Sequence, residues 1–154
     1  MDISAVTDVE KSFEDGEGEG TFEKVFEEKH YTLVFVRKQK SKEILLGMKL
    51  RGFGKGKWNG FGGKIEPGET VEEAAVRELW EESNLTITTA DLQKRAVITF
   101  TMQESLKLMH VHVFETFTFV GEEKESDEMK PQWFLEKDIP FDQTWPDVSN
   151  IHTN

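Results

Sequence analysis

A single α+β domain, built on a mixed β-sheet with packed helices, is the fold class the sequence predicts, and three features predict it. Segments rich in β-branched and aromatic residues, among them YTLVFV, EILLGM, RAVITFTM and MHVHVFETFTF, read as buried or half-buried strands. One segment, VEEAAVRELWEESNL, combines helical spacing with a start signal. No internal repeat is visible, and 154 residues allow one proper core but not two domains of ordinary size.

Residues 1–20 are acidic, rich in Gly and poor in aliphatic side chains, so they bury too little surface to offset their ordering entropy. Residues 1–29 are therefore expected to be a largely disordered extension, holding ten acidic against three basic side chains and so most of the net charge of −11. Phe22, Val25 and Phe26 follow Thr21 at helical spacing, which fits either a short amphipathic helix over residues 21–28 or a transient turn. The folded domain is expected to span residues 30–154, opening with YTLVFV, the polar turn KQKSKE and then EILLGM.

The next stretch, RGFGKGKWNGFGGKIEPGET, is too rich in Gly for regular structure and must run close to something. Thr70 with Glu73 three residues on makes a capping box, which starts a helix of about four turns. Asn84 suits its left-handed end. RAVITFTM and MHVHVFETFTF then form an antiparallel pair, and PQWFLE a further short strand.

Composition excludes several classes of function. The chain has no Cys, so a metal must be held by oxygen or imidazole. No apolar run approaches the roughly 18 residues of a membrane span, and no leader pattern opens the chain, which points to a cytoplasmic location with mitochondrion and nucleus as alternatives. The strongly negative charge argues against a nucleic-acid polymer as partner.

Chemistry concentrates on the helix. At about 100° per residue, Glu78, Glu81 and Glu82 share an arc of roughly 100°, and the same arc holds Val71, Ala74, Ala75 and Leu85. A core stripe that turns acidic needs counter-charge. A run such as RELWEE alone is more often a solvated, salt-bridged face than a metal site. Preceded by a loop of backbone carbonyls and amides, however, it fits a hard cation such as Mg²⁺, and through it a polyphosphate. Trp80 falls on the opposite, solvent side.

Residues 63–85, GKIEPGETVEEAAVRELWEESNL, resemble the Nudix box, G-x5-E-x7-R-E-U-x-E-E-x-G-U with U aliphatic. Gly63, Glu69, Arg77, Glu78, Leu79, Glu81, Glu82 and Leu85 all match, and Asn84 stands where the family has Gly. The resemblance implies the Nudix fold, a mixed sheet sandwiched between helices (α/β/α). It implies hydrolysis of a phosphoric anhydride with Mg²⁺, for which Mn²⁺ is an alternative. Glu78, Glu81, Glu82 and the Gly62 carbonyl are then the metal ligands, and Arg77 with Glu69 locks the loop onto the helix. Glu128 is similar to a further metal-binding glutamate of this family, the lesser alternative being membership of the acidic loop that starts at Glu122. The catalytic base is a helix glutamate or Glu128.

Beyond the box, YTLV, LLGMK, RGFGKGKWNGFGGK, LMHVHVF, ESDEMKPQWF, IPF and WPD are similar to the family's branch that cleaves oxidised purine nucleoside triphosphates, such as 8-oxo-dGTP and 2-oxo-dATP, to monophosphate and pyrophosphate. That resemblance assigns substrate contacts to Thr32, Phe53, Asn59, Phe61, Gly62, Gly63, Lys64, Phe100, Met102, Met109, Trp145 and Asp147, with Lys49 near the phosphates or base. Each has a plain structural reading too: Phe100, Met102 and Met109 as core, Asn59 and Asp147 as turn formers.

Two departures bear on specificity. Val148 stands where this branch has a second acidic residue, and the family's last helix and strand are expected to be shortened or missing. The partner implied is a small nucleotide, and a monomer is expected. The rival readings are hydrolysis of another nucleoside diphosphate derivative, a nucleotide-binding form with weak catalysis, and an acidic tail that engages a basic partner.

Overall fold

In the computed structural model, Ser4–Ala5 and residues 25–144 are described. The strands are β1 (Ser4–Ala5), β2 (Glu27–Lys38), β3 (Glu43–Lys49), β4 (Trp58–Asn59), β5 (Gln93–Met102), β6 (Lys107–Thr116) and β7 (Met129–Leu135), with α1 (Val71–Ser83) between β4 and β5. They form one mixed sheet in the order β1-β5-β6-β2-β3-β4, with β7 also paired to β3. β2 and β6 run parallel and the other pairs antiparallel. The mixed sheet and the α+β class are as the sequence predicts. Among the described residues α1 is the one α-helix, so the second helical layer expected of a sandwich is not among them.

Two expectations for the N-terminal extension are corrected. Glu27 and Glu28 belong to a strand rather than a helix, because the whole of residues 27–36 lies in register with residues 107–116. A single helical turn of apolar spacing cannot compete with a ten-pair parallel ladder. Val25 is exposed instead of docked, and Phe22 lies outside the described residues. Likewise Ser4 and Ala5, expected to be disordered, pair with Thr101 and Phe100. Backbone pairing at an open sheet edge demands no side-chain pattern, so composition gave no sign of it.

The helix starts and ends where its sequence directs, with the Thr70 half of the expected capping box formed. Thr70 accepts a hydrogen bond from the Glu73 amide at 3.1 Å, and Asn84 closes the helix at φ 69°. Ala74 is buried, and Ala75 and Leu79 join Val34, Val36, Leu45, Phe61, Phe114 and Met129 in one core cluster. A second cluster, around Phe35, Ile44, Leu46, Trp58 and Val113, covers the sheet's other face.

The Gly-rich stretch finds its close neighbour in β2. β2 pairs with β3 only over Val36, Arg37 and Lys38; beyond that the two diverge, and residues 58–64 fill the gap. Asn59 pairs with Gly47 on β3, while Phe61 and Lys64 bridge to Val34 and Tyr31 on β2. A Cβ on Gly62 would lie 1.7 Å from the Thr32 carbonyl oxygen, so this approach admits glycine alone.

Adjacent helix residues test this packing. Leu79 is fully buried and Trp80 56% exposed. Leu79→Ala is expected to cost about 2–5 kcal/mol in urea unfolding, whereas Trp80→Ala stays within about 0.5 kcal/mol of the parent. Equal losses would refute the orientation of α1.

Candidate active site

The acidic face of α1 turns toward the Gly loop rather than toward water. Glu82 is 6% exposed and accepts a hydrogen bond from the Gly62 amide at 2.8 Å. Glu78 stands against Gly63, where a Cβ would come within 2.6 Å of its carboxylate oxygen. Glu81, on the rim, is exposed. The Gly62–Gly63 backbone and the three carboxylates thus border one cleft of about 490 Å³, with Lys49, Arg51 and Glu128 on its other wall.

Arg77 organises the arrangement. Its Nε and Nη2 donate to the two oxygens of Glu69 at 2.6 and 2.9 Å, its Nη1 to Glu78 and Glu81 at 3.0 and 3.2 Å, and Nη2 also to the Lys64 carbonyl at 3.1 Å. The planar guanidinium ties loop and helix together, as expected of the Arg77–Glu69 pair. Hydrogen bonding from Arg77 holds Glu69 below the usual carboxylate range.

The helix carboxylates behave differently. Burial pushes Glu78 above its ordinary value against the pull of Arg77. Burial likewise pushes Glu82 up to about 7, opposed by the Gly62 amide and reinforced by the Glu78 charge. Desolvated carboxylates with too little positive charge nearby fit a divalent cation, and an all-oxygen donor set of this kind suits a hard ion.

Glu128 meets two cations across the cleft, accepting from Arg51 Nε at 2.7 Å and from Lys49 Nζ at 3.2 Å. Those bonds hold it below the usual range. Ser126 anchors its loop, donating to the Glu82 carbonyl at 3.3 Å and accepting from the Met129 amide at 3.1 Å. Arg51 and Ser126 were not expected at the site. A basic residue at the head of a Gly-rich loop was the available sign for Arg51; nothing marked Ser126.

The expected substrate contacts are less gathered. Gly62, Gly63 and Lys49 line the cleft. Thr32 is 3% exposed, with its hydroxyl 3.5 Å from the Gly63 carbonyl. Phe61 has no exposed surface and packs in the core beneath α1, so its side chain is not offered to a ligand; alternation along residues 59–61 turns it inward. Lys64 is exposed and borders a separate cleft with Glu28, His30, Ile65 and Val71.

Asn59 is half-buried, its Oδ1 accepting from the Gly60 amide at 2.8 Å. Phe53 is 61% exposed in the Gly turn. Phe100 and Met109 are register partners, and by alternation with Ile98 and Val111 they lie with Met102 on the face away from α1. They are gathered with one another but not with the carboxylates. Trp145 and Asp147 lie outside the described residues.

Known proteins resemble the chain over most of its length. Residues 27–152 match the family model described as NUDIX domain. The chain is 53% identical over 123 residues to the oxidized purine nucleoside triphosphate hydrolase of Danio rerio, covering 80% of this chain and 76% of that one. It is 51% identical over 119 residues to the Mus musculus protein of the same name, covering 77% and 74%. Among solved structures, a MutT protein from Methanosarcina mazei Go1 superposes with a TM-score of 0.66 at 23% identity, over 82% of this chain and 91% of that one. A MutT NUDIX hydrolase from Burkholderia pseudomallei gives 0.65 at 24%, over 74% and 88%. At such identities these structures speak for the fold alone.

The buried carboxylate sets a pH dependence. With its folded pKa raised from 4.5 to about 7, Glu82 makes the folded state bind more protons than the unfolded chain in that window. Stability therefore falls as pH rises through it and is level above it, by roughly 1–3 kcal/mol for this group. In chelator-treated protein, Glu82→Gln is expected to match the parent near pH 4.5 and exceed it by that amount at pH 8 in urea unfolding. Parallel pH profiles would contradict it.

Proposed function

From the premise that the chain belongs to the Nudix hydrolase family, we propose that it hydrolyses oxidised purine nucleoside triphosphates to the monophosphate and pyrophosphate. What carries this reading is the meeting of Glu78, Glu81 and Glu82 with Gly62, Lys49 and Arg51 in one cleft. The relatives' shared name supplies the class of substrate.

Glu78, Glu81, Glu82 and the Gly62 carbonyl would hold Mg²⁺, with Mn²⁺ as a substitute, and Glu128 would add a further carboxylate. Such an ion, when bound, neutralises phosphate oxygens and makes a water more acidic. The chain's own groups do the rest. Lys49 and Arg51 offer positive charge to the phosphate chain opposite the carboxylates, and repulsion between substrate and acidic helix is thereby balanced. Arg77, held bidentate by Glu69, fixes the carboxylates of Glu78 and Glu81 before substrate arrives. The attacking water's proton passes to a carboxylate of the cleft, a helix glutamate or Glu128.

Base selection falls to Asn59 and Asp147 for the polar edge, and to Phe53, Phe100, Met102, Met109 and Trp145 for the apolar rings. With its Oδ1 engaged by Gly60, Asn59 presents its amide NH₂ to a purine edge. Val148 removes one carboxyl from the position beside Asp147. A pocket with one carboxyl has fewer protonation states with which to match different oxidised bases, so a narrower purine range than that of a paired acidic site follows.

The purified chain with Mg²⁺ is expected to release monophosphate and pyrophosphate from 8-oxo-dGTP or 2-oxo-dATP in preference to dGTP, dATP and ADP-ribose, as resolved by chromatography. Glu78→Gln lowers that rate by roughly a hundredfold or more, since several kcal/mol of charge stabilisation depend on it. Preference for ADP-ribose, or turnover that survives Glu78→Gln, would overturn the reading.

A further inference from the structure

Away from the carboxylate cleft, three histidines converge on neighbouring strands. β6 carries His110 and His112 two residues apart, hence on one face, and His30 on β2 is the register partner of His110. The rings of His30 and His110 stack with centroids 4.7 Å apart, and those of His30 and His112 at 5.3 Å. His30 Nδ1 lies 3.0 Å from His112 Nε2. Glu28 reaches the group from the start of β2, with a carboxylate oxygen 3.5 Å from His110 Nε2. One ligand atom from each of Glu28, His30 and His110 falls within 4.8 Å of the others.

The geometry points to a second metal site, in which His30, His110 and His112 with Glu28 bind a divalent transition cation of the zinc type. Donor atoms around a tetrahedral Zn²⁺ at about 2.0–2.1 Å are separated by about 3.3 Å. The His30 and His112 nitrogens already stand within a few tenths of an ångström of that separation. Glu28 and His30 are both exposed, so their side chains can turn toward a cation.

Two further observations support the assignment. His112 Nδ1 is buried without a hydrogen-bond partner, so the ring is restrained through one nitrogen only. An open cleft of about 500 Å³ beside Glu28 and His30 gives a cation entry. Imidazole nitrogen prefers zinc-like ions, whereas Mg²⁺ seeks oxygen, so the two sites divide cations by donor hardness.

His30 accepts a bond from the Ile65 amide through its carbonyl, and the next residue, Tyr31, bridges to Lys64. A metal here would clip β2 to β6 beside the root of the loop that carries Gly62 and Gly63.

The test is calorimetric titration of the full chain with Zn²⁺ in excess Mg²⁺, which keeps the carboxylates occupied. One Zn²⁺ is expected to bind per chain, with affinity falling about tenfold or more in His30→Gln and in His110→Gln. Both variants keep parental Mg²⁺-dependent hydrolysis, so a failure of the proposed activity leaves this result readable. In the unaltered chain, Zn²⁺ is expected to shift the imidazole ¹⁵N resonances of His30, His110 and His112 but not that of His152. Absence of uptake at micromolar Zn²⁺, unchanged affinity in both variants, or a shift confined to His152 would overturn the site.

Discussion

A carboxylate face packed inward against a backbone loop is the constraint around which the rest is arranged. Glu78 and Glu82 share a stripe with Ala74, Ala75 and Leu79, so the helix cannot bury its apolar residues without desolvating charge. An unpaired carboxylate in that position costs several kcal/mol. The structure offsets this from three sides: the Arg77 guanidinium, the Gly62 amide, and Lys49 across the cleft. Each depends on another element. Arg77 needs Glu69 to hold its plane, the Gly62 amide needs β2 alongside, and Lys49 needs β3 to end at this point.

Glycine makes the second of these feasible. Where β2 and β3 separate, the strand-like passage from Trp58 to Lys64 takes over the backbone partners that β3 would have supplied to Val34 and Thr32. A side chain at residue 62 would strike the Thr32 carbonyl, and one at 63 would strike Glu78. Bare backbone is therefore what lets an amide point at Glu82. The same requirement explains why a Gly-rich stretch, which ordinarily weakens structure, is among the best-tethered segments here.

Much of this was legible in advance, for reasons particular to each element. Thr70, Glu73 and Asn84 fixed the helix ends because capping is local chemistry, and the 100° periodicity put the glutamates on the apolar arc. The Arg77–Glu69 tie was carried by the box motif. What remained hidden depends on long-range pairing. Nothing near Glu27 signals that its partner is Lys107, and Phe61 reads as a ligand contact until its register with Val34 turns it inward. Arg51 joins the site only because β7 brings Glu128 beside the Gly turn. The histidine cluster had a local sign, H-V-H on a strand, but its third member comes from β2, and only the parallel ladder joins them.

Charge balance in the cleft links structure to chemistry. In the form described, Lys49 and Arg51 are both spent on Glu128. A polyphosphate bound there as proposed would compete with Glu128 for the two cations, and a divalent ion would compete with them for Glu128, so the proposed substrate and metal would each favour the other's binding. On the helix side, Glu81 is exposed and held by the Arg77 guanidinium, whereas Glu82 is buried and held by the Gly62 amide, so the tie between loop and helix does not depend on what the opposite wall engages.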